Sequence, residues 1–233
     1  MQAPTIIAHR TCPRDEPENS IAGIRKAAEL GADGVEIDLR MSLDQKPFLM
    51  HDDTMKRMTG WGRPLEATFA ATVRQQHLPN SEPVPSLSDV FDALPEGQQL
   101  AVDVKTPWAV VPLVAEIKRR AVESRVLIWC TSSLACRYAA HKLPSVEVAY
   151  LKTALDPASQ RRFLDTAVST GARAVSTHWR AVTKEHVADA HSRGLRIFSW
   201  HDEYELSREK LEAGLDILIT DYPVRAREAY AAL

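Results

Sequence analysis

Residues 34–52 read GVEIDLRMSLDQKPFLMHD. Two apolar runs, Gly34–Leu39 and Pro47–Met50, have the length and residue character of β-strands. Only Arg40 to Lys46 separates them. A parallel crossover needs about a dozen residues or more, so the pair must close as an antiparallel hairpin. Asp44 and Gln45 fall near its turn. Along the first run, Glu36 and Asp38 lie two residues apart and share one face of the strand, while Ile37 points to the other.

Outward from this hairpin the chain alternates short apolar runs with amphipathic segments. The other predicted strands are Thr5–Ala8, Leu100–Val104, Val126–Cys130, Val146–Leu151, Ala174–Thr177, Arg196–Trp200 and Asp216–Ile219. Predicted helices span Ile21–Leu30, Val110–Val122, Ala158–Thr170, Lys184–Arg193 and Glu203–Ala213. Asn19 or Ser20 can cap the first of them. Gly171, Gly194 and Gly214 each sit where a helix should end in the left-handed conformation. Strand, helix and strand in repeated order means parallel pairing with right-handed crossovers. Near-continuous apolar strands indicate burial on both faces. With the hairpin return strand set aside, eight parallel strands remain. The expected fold is α/β: a TIM-type (β/α)8 barrel with a β-hairpin extension, forming one domain over residues 1–233. The proline-rich stretch 52–97 breaks the rhythm. It is expected to be a small insertion after the second barrel strand, packed on the barrel, with two short helical stretches at most.

Composition narrows the function. A formal net charge of −2 gives no basic excess for nucleic-acid binding. No apolar run reaches the length of a membrane span. Met1 to Arg10 lacks a basic segment followed by a long apolar stretch, so it does not read as a secretory signal. The odd count of three cysteines, Cys12, Cys130 and Cys136, argues against a disulfide framework. A cytoplasmic protein is the expectation.

Active sites of β/α barrels lie at the C-terminal ends of the strands. His9-Arg10, Glu36-Ile37-Asp38, His51-Asp52, Asp103-Val104-Lys105, Trp200-His201 and Thr220-Asp221 all stand there. Glu36 and Asp38 repel each other unless a cation or proton intervenes. Asp103 could complete an oxygen-only set suited to Mg²⁺, Ca²⁺ or Mn²⁺. A hairpin register placing Asp38 opposite His51 would bring that imidazole to the acids, with His9 arriving from the first strand. Two histidines beside a phosphate can serve as acid and base, or either can be a ligand or structural residue. Arg10 and Lys105 can grip a phosphate, or pair with the acids.

Taken with Pro17-Glu18-Asn19-Ser20, Val84-Pro85-Ser86-Leu87 and Ile219-Thr220-Asp221-Tyr222-Pro223, these motifs resemble the glycerophosphodiester phosphodiesterase family. The resemblance runs from residue 9 to 223. It implies metal-dependent hydrolysis of glycerophosphodiesters to glycerol 3-phosphate and an alcohol. It implies one divalent ion on Glu36, Asp38 and Asp103, with His9 and His51 as the acid/base pair. It also implies Arg10 and Lys105 near the phosphate, Glu18 near the polar head of the substrate and Trp200 against glycerol. A cyclic phosphate, formed by attack of a glycerol hydroxyl and opened by water, is the implied route. The chain departs from the family pattern in having Thr11 where glycine is usual, followed by Cys12 to Asp15. It also has Asp103 where glutamate is common and His201-Asp202-Glu203 after Trp200. An aspartate at the third ligand position keeps a second substrate class open, lysolipids cleaved in the manner of lysophospholipase D or sphingomyelinase D. The small-molecule substrate has no nucleic-acid or membrane-spanning counterpart in the sequence, and oligomeric state is left open.

Overall fold

The computed structural model describes residues 3–233. Its strands, among the described residues, are β1 (Thr5–Ala8), β2 (Gly34–Met41), β3 (Pro47–Leu49), β4 (Gln99–Val104), β5 (Val126–Cys130), β6 (Glu147–Leu151), β7 (Ala174–His178), β8 (Arg196–His201) and β9 (Ile217–Thr220). Every strand but β3 pairs in parallel, in the order β1-β9-β8-β7-β6-β5-β4-β2, and β1 pairs with β2 to close the ring. The architecture is the expected TIM-type barrel. β3 returns antiparallel along β2, as the short Arg40–Lys46 connection requires.

Alternate residues divide the barrel into two layers. Ile7, Ala101, Trp129, Ala149, Phe198 and Ile219 fill its interior. The small Ala101 and Ala149 leave room for Trp129, whose ring lies 6.4 Å from that of Phe198. Residues of the opposite parity, such as Val35, Ile37, Val102, Ile128 and Val148, pack against the helical layer. The first helix, Ile21–Glu29, starts from Ser20, whose side chain accepts from the Gly23 N–H. Gly171, Gly194 and Gly214 all have positive φ, as their positions after helices suggest. No helix of the described residues is long and apolar enough to cross a membrane.

Several local expectations fail for identifiable reasons. The hairpin register sets Leu39 against Leu49. The Met50 N–H therefore bonds to Asp38, and His51 lies one residue beyond. Helix Glu203–Ala213 shrinks to Arg208–Leu211. The carbonyls of Tyr204 and Glu205 are taken by the side chains of Arg225 and His201, which leaves them no helical partner. The structure adds helices Ser133–Lys142 and Pro223–Ala231 to those expected. The 52–97 segment holds more than two helical stretches: Lys56–Thr59, Ala70–Val73 and Leu87–Ala93, plus a 3-10 turn at Leu65–Ala67. Its Met55, Leu65, Val73, Leu78 and Val84 form an apolar cluster with Phe48 and Met50, which seats the segment on the hairpin.

Candidate active site at the barrel mouth

β2 and β4 run side by side with Asp38 level with Asp103. Glu36 stands one pleat deeper on the same face. One oxygen from each of the three acids lies within 4.8 Å of the others. All three side chains are buried, at 2%, 1% and 5% exposure for Glu36, Asp38 and Asp103. Buried carboxylates so close together need compensation. Lys105 supplies part of it, with its ammonium 3.1 Å from Asp38 and 2.6 Å from Asp103. The Arg10 guanidinium lies 3.5 Å from Asp38 and 3.3 Å from Glu18. Asn19, in the left-handed region at φ 57°, donates its amide to the Asp38 carboxylate and accepts from the Asp38 N–H.

The acids respond differently. Burial pushes all three up. For Asp38, Lys105 and then Arg10 outweigh burial and hold the group at about 2. Glu36 is driven well above the ordinary carboxylate range by burial and by the charges of Asp38 and Asp103. Asp103 is raised by burial despite Lys105. The Lys105 ammonium shifts up in turn, the two aspartates outweighing its burial. One Asp103 oxygen is buried without a hydrogen-bond partner. An all-oxygen donor set, an unpartnered carboxylate oxygen and an excess of buried negative charge all fit a hard divalent cation.

His9 and His51 are each held by a carboxylate. His9 Nδ1 lies 2.7 Å from Asp221 Oδ1, and His51 Nδ1 lies 2.8 Å from Asp52 Oδ1. A carboxylate only accepts, so in each pair Nδ1 carries the proton and Nε2 is left for chemistry. His51 also bears electrostatically on Asp38 and Asp103. Behind Asp221 stands Arg14, 2.8 Å from its second oxygen, with its guanidinium 5.0 Å from the Tyr222 ring centre. Behind Asp52 stands Arg57, whose hydrogen bond draws the Asp52 carboxyl below its ordinary range against the pull of burial.

The first loop is wound to make this possible. Arg10, Thr11 and Cys12 have φ of 44°, 70° and 113°. Non-glycine residues there cost of order 1–3 kcal/mol each, so neighbouring contacts must hold them. The turn points the Arg10 N–H at Glu36, 2.8 Å away. Thr11 occupies its position because Gly23 lies beneath it: a Cβ on Gly23 would come within 2.4 Å of the Thr11 hydroxyl.

The structure thus gathers Glu36, Asp38, Asp103, Lys105, Arg10 and Glu18 into one contact network and brings His51 to bear on it. His9 enters the mouth beside β2. Trp200 stands on β8, half-buried and edge-on to His178, with ring centres 5.4 Å apart. Local sequence gives no sign of the bonds from Asn19 to Asp38, of the contacts of Arg57 and Arg14, or of the holding roles of Asp52 and Asp221. Only the adjacency of His51 and Asp52 hints at one such pair. Nothing local announced that Asp221 would meet His9, 212 residues away in the chain. Clefts of about 520 and 630 Å³ flank the hairpin outside the barrel and do not include the acids.

Fold and mouth together define a β/α barrel with an oxygen-rich acidic centre. The sequence model of the Glycerophosphoryl diester phosphodiesterase family matches residues 9–225, and the chain belongs to that family of phosphoric diester hydrolases. A Glycerophosphodiester phosphodiesterase of Caldanaerobacter subterraneus subsp. tengcongensis is 27% identical over 234 residues, covering 94% of each chain. Bovine Glycerophosphodiester phosphodiesterase 1 is 41% identical over 111 residues, 43% of this chain and 34% of its own. Among solved structures, an Oleispira antarctica phosphodiesterase in complex with the product sn-glycerol-3-phosphate superposes with a TM-score of 0.85 at 22% identity, covering 98% of this chain and 97% of that one. A glycerophosphodiester phosphodiesterase from Parabacteroides distasonis gives 0.83 at 22% identity, covering 99% of both.

Proposed function

We propose that this chain hydrolyses glycerophosphodiesters to glycerol 3-phosphate and an alcohol, with one divalent cation on Glu36, Asp38 and Asp103. The observation that carries the reading is the pair of imidazoles, each tied through Nδ1 to an aspartate and each leaving Nε2 free at a mouth lined by three buried acids. A divalent cation bound there would offset phosphate charge as it grows in the transition state. Arg10 and Lys105 hold the phosphate oxygens, and Glu18 accepts from the glycerol hydroxyls. Trp200 gives the glycerol carbons an apolar wall.

One imidazole takes the proton of the glycerol 2-hydroxyl as its oxygen attacks phosphorus. The other delivers a proton to the departing alcohol oxygen as the P–O bond breaks. Water then opens the cyclic phosphate, with the proton transfers reversed. Each transfer contributes about 10²–10⁴-fold. The product is the molecule with which the Oleispira antarctica phosphodiesterase was solved.

A panel of glycerophosphodiesters assayed with Mg²⁺, Ca²⁺, Mn²⁺ and chelator tests this, with products followed by phosphorus NMR. Glycerol 3-phosphate should accumulate only with metal present, and diesters lacking a neighbouring hydroxyl should persist. Metal-independent turnover, or turnover of diesters without that hydroxyl, would refute the mechanism. Release of a cyclic phosphate from lysolipids in place of glycerol 3-phosphate would move the chain to the lysolipid class.

A further inference from the structure

Building on the phosphodiesterase reading, we infer that Arg57 is a positioning residue that locks the acid facing glycerol, Glu18, to the acid holding His51, Asp52. Its guanidinium meets both carboxylates at once. It donates to Glu18 at 2.6 and 2.8 Å and to Asp52 at 2.7 and 3.0 Å. Two bidentate pairs on one planar group fix the separation and tilt of the two acids, which a point charge cannot do. The link continues at either end. Asp52 holds His51 Nδ1, while Glu18 also meets Arg10, which leans on Asp38.

The segment 52–97 delivers this arginine. Met55, fully buried in the apolar cluster under the hairpin, anchors the turn two residues away. The Met55 N–H bonds to the Arg63 carbonyl, and Asp53 lies 2.6 Å from Arg40 of β2. Arg57 is thereby clamped from both sides of its short helix, and the segment acquires a task beyond covering the barrel.

Without Arg57, Glu18 would keep only Arg10 as a partner. Glu18 is buried at 8% exposure, so its charge would draw Arg10 toward itself and away from Asp38 and the phosphate. Asp52 would lose its brace, and His51 would lose its fixed orientation. One substitution therefore disturbs both the glycerol end and the proton-transfer end, so KM and kcat must move together.

The test compares the wild type with Arg57→Ala, Arg57→Met and Arg57→Lys in the full chain. It reads kcat and KM on glycerophosphodiesters, ¹⁵N resonances of the imidazoles, and thermal unfolding as a check on folding. Arg57→Ala and Arg57→Met should lower kcat about 10²-fold, as misplacement of a reacting group by about 1 Å can do. KM should rise about tenfold through the loosened Glu18. Arg57→Lys should stay nearer the alanine variant than the wild type, because one ammonium cannot serve both carboxylates. His51 resonances should shift and His9 resonances should hold. Wild-type constants in Arg57→Ala would overturn the inference, as would full rescue by Arg57→Lys or equal shifts at both histidines. If the wild type turns over no diester, the phosphodiesterase reading fails, and the His51-selective shift alone then decides the positioning role. If Arg57→Ala unfolds, Arg57→Lys carries the test.

Discussion

The two histidines are held by the same bond and by different kinds of structure. His9 and Asp221 sit at the ends of β1 and β9, with side chains 11% and 7% exposed. His51 and Asp52 lie past the hairpin, with side chains 32% and 33% exposed. The register of β1 and β9 brings the first pair together at the barrel rim, and Asp221 stays buried there although the more exposed Arg14 also pairs with it. The second pair relies on Arg57, an ion-paired side chain open to water. Burial gives a rigid arm. Charge pairing gives an arm that is firm only while its electrostatics last.

The largest effects should come from the imidazoles. His9→Ala and His51→Ala should each lower kcat by about 10²–10⁴-fold with the far-UV circular dichroism unchanged. Normal turnover by either variant would remove that residue from the chemistry. The holding aspartates should then separate the arms. Asp221→Asn, in the buried pair, should cost about 10²–10⁴-fold in kcat, since a wrongly oriented or wrongly protonated imidazole has no ready alternative there. Asp52→Asn should cost about tenfold less, because water can reach the vacated position. Equal losses would erase the contrast.

Ionic strength offers a milder probe. Raising salt from about 0.05 to 0.5 M shortens the screening length well below 10 Å. The ¹⁵N resonances of His51 should move with salt and those of His9 should not; the reverse pattern would contradict the assignment of rigidity to burial.

The smallest effect concerns acid stability. His201, whose carbonyl receives the Asp221 N–H, is fully buried, and burial lowers its pKa. The unfolded chain therefore takes up this proton more readily than the folded one. Stability attributable to His201 should be complete above pH about 6.5 and decline as pH falls toward the lowered folded value. His201→Phe should flatten that slope in urea unfolding between about pH 7 and 5; an unchanged slope would count against it.

Much of this was legible because barrels write themselves in repeating units. Apolar runs alternating with helical periodicity marked all eight parallel strands, and the spacing of Glu36 and Asp38 put two acids on one face. The hairpin was legible too, because seven residues cannot make a parallel crossover. Its register was not. A one-residue slip leaves local propensity unchanged, and only the packing of Leu39 and Leu49 into the core selects the true pairing. Arg14 and Arg57 escaped for a related reason. Both lie in stretches without periodicity, where an arginine's partner is set by tertiary approach. The helix expected at Glu203 failed because side chains from elsewhere captured its carbonyls. Local pattern thus marks which residues stand at the strand ends, while the contacts that hold them come from segments outside the strands.

In the proposed enzyme, Glu36, Asp38 and Asp103 converge on one cation. Anomalous diffraction from crystals grown with Mn²⁺ tests this convergence directly. A single ion is expected with oxygens of all three acids about 2.0–2.6 Å away, and with the Lys105 ammonium withdrawn from between Asp38 and Asp103. A saturated crystal with no ion at the three acids, and Lys105 still bridging the two aspartates, would contradict it.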